Sequence, residues 1–176
     1  MNKEEMSPFN FTVLTQPDIP EELARVDELW KQACMENKLP SRNDIDLLKI
    51  PSSRLRFTSI SDYDPGQDTF AYSFFGSGFV EVDGKEMTGK SHMDLPQPEL
   101  GMVIDRVCRK VVSEKRECIA SFSSESFLDG KVFAIAGRWP LSDDGKNVSA
   151  ILTVAEPKDS VNRLKLAISQ NAPAHR

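Results

Sequence analysis

The octapeptide LPSRNDID at residues 39–46 separates a predicted helix from a predicted sheet. On its N-terminal side, apolar residues recur at steps of three and four, which predicts an amphipathic helix over residues 18–37. Asp18 and Glu21 have the spacing of a capping box at the start of this helix. On its C-terminal side, apolar and polar residues begin to alternate at Arg54, and this alternation indicates β-strands.

The first two predicted strands form a β-hairpin. Alternation from Arg54 gives the first strand, and DPG at residues 64–66 has the composition of a turn. The second strand lies in FAYSFFGS at residues 70–77, where aromatic and small residues alternate.

The second half of the chain is predicted to contain one helix and three strands. Pro98 opens a helix whose apolar residues again recur at steps of three and four. Strands are predicted over residues 117–124, 131–141 and 148–155, with turns at 128–130 and 142–145. We therefore expect an α+β fold, in which a five-stranded antiparallel sheet carries helices on one face and has an N-terminal amphipathic helix.

Length and charge limit the classes of protein that this chain can belong to. Its 176 residues suit one domain, which we place at residues 18–156, with an N-terminal arm at 1–17 and a C-terminal tail at 157–176 that has the pattern of a short helix. With 22 basic and 27 acidic residues, the net charge is −5, which argues against a nucleic-acid or membrane partner.

No leader or membrane-spanning pattern is present, so we expect a cytoplasmic protein. The three cysteines indicate neither a disulfide framework nor a metal site.

Two further motifs complete a resemblance to a known family. GKEMTGK at residues 84–90 and WPLSDDG at residues 139–145 follow LPSRNDID and FAYSFFGS in order. Together with the predicted element order, these motifs resemble the stand-alone PAS-domain proteins of alphaproteobacteria. The resemblance implies a PAS-like fold, a sensory or regulatory function without enzymatic activity, and a homodimer that signals through a protein partner.

The aromatic residues of the predicted sheet are candidates for a ligand pocket. They either fill a closed core or line a cavity for a small apolar ligand, and both alternatives remain open at this stage. The ligand-pocket candidates are Phe57, Phe70, Tyr72, Phe74, Phe79, Val107, Phe122, Phe133 and Ile135. The candidate polar members of such a pocket are Tyr72, Ser121, Ser123, Arg138 and Thr153.

Polar candidates give no catalytic pattern in the sequence. Arg42, Asp44 and Asp46 form either a functional charge cluster or a set of local bonds that fix the connection between helix and strand. His92 is expected at the surface or capping a loop, and Ser91 and Asp94 beside it are not expected to form a triad with it. No cofactor is identified, and neither haem nor flavin is expected.

The N-terminal helix is the candidate dimer interface. Its apolar stripe could pack on its own sheet or on a second copy of the chain, and we favour the second copy. The dimer-helix candidates are Leu23, Val26, Leu29, Trp30 and Ala33. The alternatives to a sensory protein are a scaffold with a filled core and a small α+β ligand-binding protein or enzyme.

Overall fold

The computed structural model describes residues 9–36, 38–124 and 127–157, with side chains left undescribed at 127–133 and 157. Three short 3₁₀ helices, Arg42–Asp44, Leu47–Lys49 and His92–Asp94, lie in the connections. The other elements, in chain order, are β1 (Phe9–Val13), α1 (Glu21–Ala33), α2 (Ser52–Leu55), β2 (Thr58–Asp64), β3 (Thr69–Phe75), α3 (Ser77–Asp83), α4 (Pro98–Glu114), β4 (Cys118–Ser124), β5 (Phe127–Leu141) and β6 (Ala150–Pro157). Within these residues, no helix is both long and apolar enough to cross a bilayer.

The strands form one antiparallel sheet in the order β1-β4-β5-β6-β2-β3. The α+β, PAS-like fold expected from the sequence is confirmed, because the five strands β2 to β6 pair as that fold requires, with the first hairpin beside the last strand. The sheet has a sixth strand that the sequence analysis assigned to the N-terminal arm. β1 pairs with the edge of β4, and Phe9 is buried there. Five residues are too few to show a sustained period, so this strand was not predicted.

Helices cover both faces of the sheet. On the inner face, α3 and α4 pack over a core that includes Val103, Val107 and Phe122. On the outer face, α1 and the connection after it cover a second core that includes Ile60, Ile119 and Leu152. A sheet that is buried on both faces explains why the last strands are apolar at almost every position.

Strand β5 contributes to both cores through alternate residues. Ala134, Ala136 and Arg138 face inward, whereas Ile135 and Trp139 face outward toward α1. Gly137 lies beneath the Trp139 indole, where a Cβ atom would approach the ring to 2.1 Å. The glycine therefore allows the largest outward side chain of the strand to lie along the sheet under α1.

The apolar stripe of α1 packs against the chain's own sheet. Leu23, Val26 and Trp30 are buried in the outer core, and Leu29 and Ala33 pack at its margin. The Trp30 indole N–H donates to the carbonyl of Pro140, at 2.9 Å. A homodimer interface made of these five side chains would require α1 to leave the sheet, so this prediction is not supported by the packing.

Several boundaries differ from those predicted. The N-cap of α1 is Pro20 and has no side-chain cap, so the expected capping box is not formed. α2 occupies residues that were expected to start the hairpin, and β2 begins only at Thr58. The predicted turn at residues 128–130 was wrong, because β5 already runs through it. The predicted helix in the C-terminal tail lies outside the described residues.

Replacement of Trp30 by Ala should destabilise the fold without changing its oligomeric state. The substitution removes a buried indole and its hydrogen bond, so urea unfolding should show a loss of about 3–5 kcal/mol. Glu28→Ala, on the exposed side of the same helix, should change the unfolding free energy by less than about 0.5 kcal/mol. A Trp30→Ala protein of unchanged stability but altered mass in light scattering would show that the stripe is an intermolecular interface.

Candidate functional site

A cavity of about 90 Å³ lies between the inner face of the sheet and helices α3 and α4. A water molecule needs about 10–15 Å³ on this measure, so the space corresponds to about six to nine waters. Its lining residues are Ser59, Ser61, Tyr72, Phe75, Phe79, Val82, Asp83, His92, Leu95, Leu100, Ile104, Phe122, Ala134, Ala136, Arg138, Thr153 and Ala155. The small side chains of three alanines on β5 and β6 leave this volume open above the centre of the sheet.

A β-bulge in β3 determines which aromatic residues reach the cavity. Ser61 pairs with Tyr72 but Ile60 pairs with Phe74, so Ser73 is the extra residue. The bulge turns both Tyr72 and Phe75 toward the cavity, although they are three residues apart. Phe74 consequently points outward and is 38% exposed.

The floor of the cavity carries a row of polar side chains across three adjacent strands. Ser59 on β2 pairs with Thr153 on β6, and Thr153 pairs with Arg138 on β5. Neighbouring strands are about 4.8 Å apart, so these three side chains leave the sheet side by side on the cavity floor. The walls around this row are apolar and come mainly from α3 and α4.

Arg138 is a buried charge without an acidic partner among the described residues. Its side chain is 4% exposed, and its Nε and Nη1 atoms make no hydrogen bond within the described part of the protein. The guanidinium carbon lies 5.0 Å from the centre of the Phe122 ring, which is a cation–π contact. Burial raises the pKa of the neighbouring Cys108 thiol to about 11, so this thiol is neutral at physiological pH and cannot balance the charge.

His92 is buried in the wall of the cavity. The expectation from the sequence, a histidine at the surface or capping a loop, was therefore wrong. The His92 ring stacks on Phe70, with centroids 5.0 Å apart, and its Nε2 is 3.0 Å from the Ser61 hydroxyl oxygen. Its Nδ1 faces the Asp105 carboxylate at 3.6 Å, an electrostatic contact beyond hydrogen-bond length. Because Nδ1 faces a carboxylate, we assign the proton to it, so that Nε2 accepts from Ser61. Burial lowers the pKa of His92, and Asp105 only partly offsets this effect.

Asp83 is the one carboxyl group among the described residues that line the cavity. It is the last residue of α3, where the helix dipole disfavours a negative charge. Loss of solvation raises its pKa from 3.8 to about 7. The side chain therefore retains its proton to near-neutral pH and can donate a hydrogen bond into the cavity.

The structure places the predicted pocket residues in several different positions. Among the nine candidates, Tyr72, Phe79 and Phe122 line the cavity. Four of the others do not reach it: Phe57, Phe70 and Val107 belong to the inner core, and Ile135 faces the outer core with α1. Phe74 faces outward because of the bulge, and the Phe133 side chain lies outside the described set.

The polar cluster of the LPSRNDID motif serves the connection between α1 and the sheet. Arg42 forms an ion pair with Asp62 on β2. Asp44 accepts hydrogen bonds from the backbone N–H and the hydroxyl of Ser41, each at 2.8 Å. Asp46 accepts from the N–H of Leu48 at 3.0 Å. The bonds of Asp44 and Asp46 are the local ones that the sequence allowed as an alternative to a functional cluster, whereas Arg42 pairs with a carboxylate on β2, 20 residues away. None of the three residues lines the cavity.

Arg138 and Thr153, two of the polar candidates from the sequence, line the cavity, whereas Ser121 and Ser123 do not. His92 and Asp83 also line it, although neither was a pocket candidate. A signal for Arg138 is present: it is the only charged residue in the apolar run VFAIAGRW at residues 132–139. No comparable signal marks His92, because the long connection before α4 brings it under the hairpin. In the described ranges, no three His, Cys, Asp or Glu residues are grouped so that they could hold a metal ion.

Comparison with known proteins gives matches only among solved structures. No protein-family model and no curated protein matches the chain. The blue-light photoreceptor Aureochrome1 LOV is similar at 18% identity, with a TM-score of 0.42, over 65% of this chain and 90% of that one. A variant of Vivid is similar at 12% identity, with a TM-score of 0.45, over 82% and 98%. VqmA of Vibrio cholera in a ligand–DNA complex is similar at 14% identity, with a TM-score of 0.43, over 58% of this chain and 46% of that one. These similarities concern the fold alone.

The Asp83→Asn variant should gain stability over the original protein as the pH rises. The folded-state pKa of Asp83 lies above its unfolded value, so the unfolded chain loses this proton between about pH 4 and 7 while the folded chain keeps it. The stability that this proton contributes is therefore present at low pH and is lost as the pH rises through 7. In thermal melts, the Tm of Asp83→Asn minus that of the original protein should be more positive at pH 8 than at pH 5. The exposed control Asp143→Asn should show no such trend, and an equal difference at both pH values would contradict the raised pKa.

Proposed function

We propose that this protein is a sensory domain that binds a small molecule in the cavity and signals through protein contact. The observation that carries the proposal is a mainly apolar cavity whose floor carries Ser59, Thr153 and the buried Arg138. Apolar walls with a few convergent polar groups are the usual composition of a ligand site. The PAS-like fold is consistent with this function but does not specify it.

The cavity is connected to the outer face of the sheet through β5. Arg138 points into the cavity, and the next residue, Trp139, points outward beneath α1. The Trp139 indole N–H donates to the Asp27 carboxylate of α1 at 2.9 Å. A ligand that favours one position of β5 would shift the packing of α1, provided that it binds the two arrangements with different affinity. We therefore propose α1 as the element that reports the ligand to a partner protein.

A homodimer remains part of this proposal only in a form compatible with the packing of α1. The apolar stripe is buried in the outer core, so a dimer interface would use the exposed side of α1 or another surface. Alternatively, the ligand would release α1 from the sheet and make the stripe available to a second copy.

A hydrolase is the second candidate, because Ser61, His92 and Asp105 lie in the order of nucleophile, base and orienting acid. Two observations make it weaker. The His92–Asp105 distance of 3.6 Å is too long for the orienting hydrogen bond, and the backbone of Ser61 pairs within the sheet on both sides, leaving it unavailable as an oxyanion donor. Hydrolysis of p-nitrophenyl acetate that is lost in Ser61→Ala would favour the hydrolase over the sensor.

Native mass spectrometry of the freshly purified protein tests the proposed function. We expect a discrete extra mass that is released on denaturation. Ala136→Leu places three more carbon atoms on the cavity floor, so this variant should fold but lose the extra mass. Ala71→Leu makes the same change at an exposed position of β3 and should keep it.

A bare polypeptide mass for all three proteins would contradict a retained ligand and favour a scaffold. Retention of the same extra mass by Ala136→Leu would show that a ligand binds elsewhere. Circular dichroism on each variant establishes that the fold is intact before the masses are compared.

A further inference from the structure

We infer that the ligand of the cavity is a small organic carboxylate, held by the guanidinium of Arg138. The inference rests on the proposed function and adds the chemical class of the ligand. It depends on three features of the cavity: an unbalanced buried charge, a set of hydrogen-bond donors, and apolar walls.

The first feature is the charge of Arg138. Arginine stays protonated in proteins, so the side chain cannot lose its charge on burial as a lysine or histidine can. A buried charge without a partner is costly, and unsatisfied buried donors are rare in folded proteins. No carboxylate of the described residues lies within 4.0 Å of Arg138. The cation–π contact with Phe122 supplies only part of the compensation.

The second feature is the set of hydrogen-bond donors. The Nε and Nη1 atoms of Arg138 make no hydrogen bond within the described part of the chain. Each of these free donors can take part in a two-pronged contact with a carboxylate, Nε together with Nη2 or Nη1 together with Nη2, which a single point acceptor cannot make. Thr153 and Ser59, on the next two strands, add hydroxyl donors to the same cavity floor.

The third feature is the apolar wall, because of which an organic anion fits the cavity better than a free inorganic anion does. Phe75, Phe79, Leu100 and Ile104 close the cavity opposite the polar floor. Chloride or phosphate would leave this surface without a partner, whereas the body of an organic acid would cover it. The cavity volume corresponds to about six to nine water-sized atoms, which suits short alkanoates and simple aromatic acids.

The nearby carboxyl group does not oppose this assignment. Asp83 lines the helix side of the cavity, is not among the ion-pair partners of Arg138, and retains its proton to near-neutral pH. In its neutral form it donates a hydrogen bond and adds no negative charge to the site. Asp83 is only partly ionised near pH 7 whereas Arg138 is fully charged, so Arg138 determines the sign of the ligand.

Isothermal titration with two acids and their uncharged amides tests the inference. The probes are hexanoate and benzoate, compared with hexanamide and benzamide, which have nearly the same shape. At least one acid should bind the original protein about tenfold or more tightly than its amide. Arg138→Met keeps an unbranched apolar stem and removes the charge, so it should weaken binding of that acid by about 10- to 100-fold.

Three controls separate loss of charge from loss of structure. Arg138→Met should melt at the same or a higher temperature than the original protein, because an apolar residue replaces an unpaired buried charge. Arg106→Met removes a surface arginine that also lies over an aromatic ring, Phe11, and should leave binding unchanged. A saturating acid should raise the Tm of the original protein by about 5–10 °C when its concentration is 100 times its Kd.

The possible failures distinguish this inference from the proposed function. Amides that bind as tightly as the acids, or an acid that binds Arg138→Met as well as the original protein, would overturn the carboxylate and leave a ligand sensor. Stabilisation by chloride alone would identify an inorganic anion site and also overturn it. If none of the four compounds binds, the carboxylate is excluded, and native mass spectrometry then decides separately whether a ligand of another class is present.

Discussion

Burial of both faces of β5 is the constraint on which the rest of this structure depends. The strand lies near the middle of the sheet, so residues on either side of it must find a partner within the protein. On the outer face, Trp139 and Ile135 are covered by α1, which explains why the N-terminal helix packs on its own sheet. On the inner face, Ala134 and Ala136 are too small to fill the space below α4, and Arg138 is too polar to belong to an apolar core. The cavity follows from these three side chains.

The same strand gives the cavity a physical connection to the surface. Consecutive residues of a strand point to opposite faces, so a displacement of the backbone at Arg138 also displaces Trp139. Trp139 is bonded to Asp27, and Trp30 of the same helix is bonded to the carbonyl of Pro140. Both tryptophans thus tie α1 to the segment that follows Arg138.

Sequence patterns were sufficient for the elements whose periodicity is long. Helix α4 starts at Pro98 as expected, and the hairpin and the last three strands are present. The α+β class and the strand pairing follow from this order of elements. Periodicity failed where a single residue interrupts it. The extra residue Ser73 reverses the direction of Phe74, so a simple alternation places this aromatic residue on the wrong face.

The site itself was less accessible to sequence reasoning, because its members come from distant parts of the chain. Tyr72, Phe79 and Phe122 were identified from hydrophobicity, which marks buried residues without distinguishing a core from a cavity. Placing the polar members in one site required knowledge of strand register. Ser59 and Arg138 are 79 positions apart in sequence, and only the pairing of each with Thr153 brings them together. Their chemical meaning depends on the absence of an acidic partner within the described structure, and no sequence pattern contains that information.

The central claim is that Arg138 binds an organic carboxylate from within the cavity. The most direct measurement is a crystal structure of the protein purified without added ligand, at a resolution that distinguishes a carboxylate from water. We expect density that extends from the Arg138 guanidinium toward Phe79 and Ile104, with a forked end at hydrogen-bond distance from two of the guanidinium nitrogens. Density for isolated waters only, or a guanidinium turned away to pair with a carboxylate of the chain itself, would contradict the account.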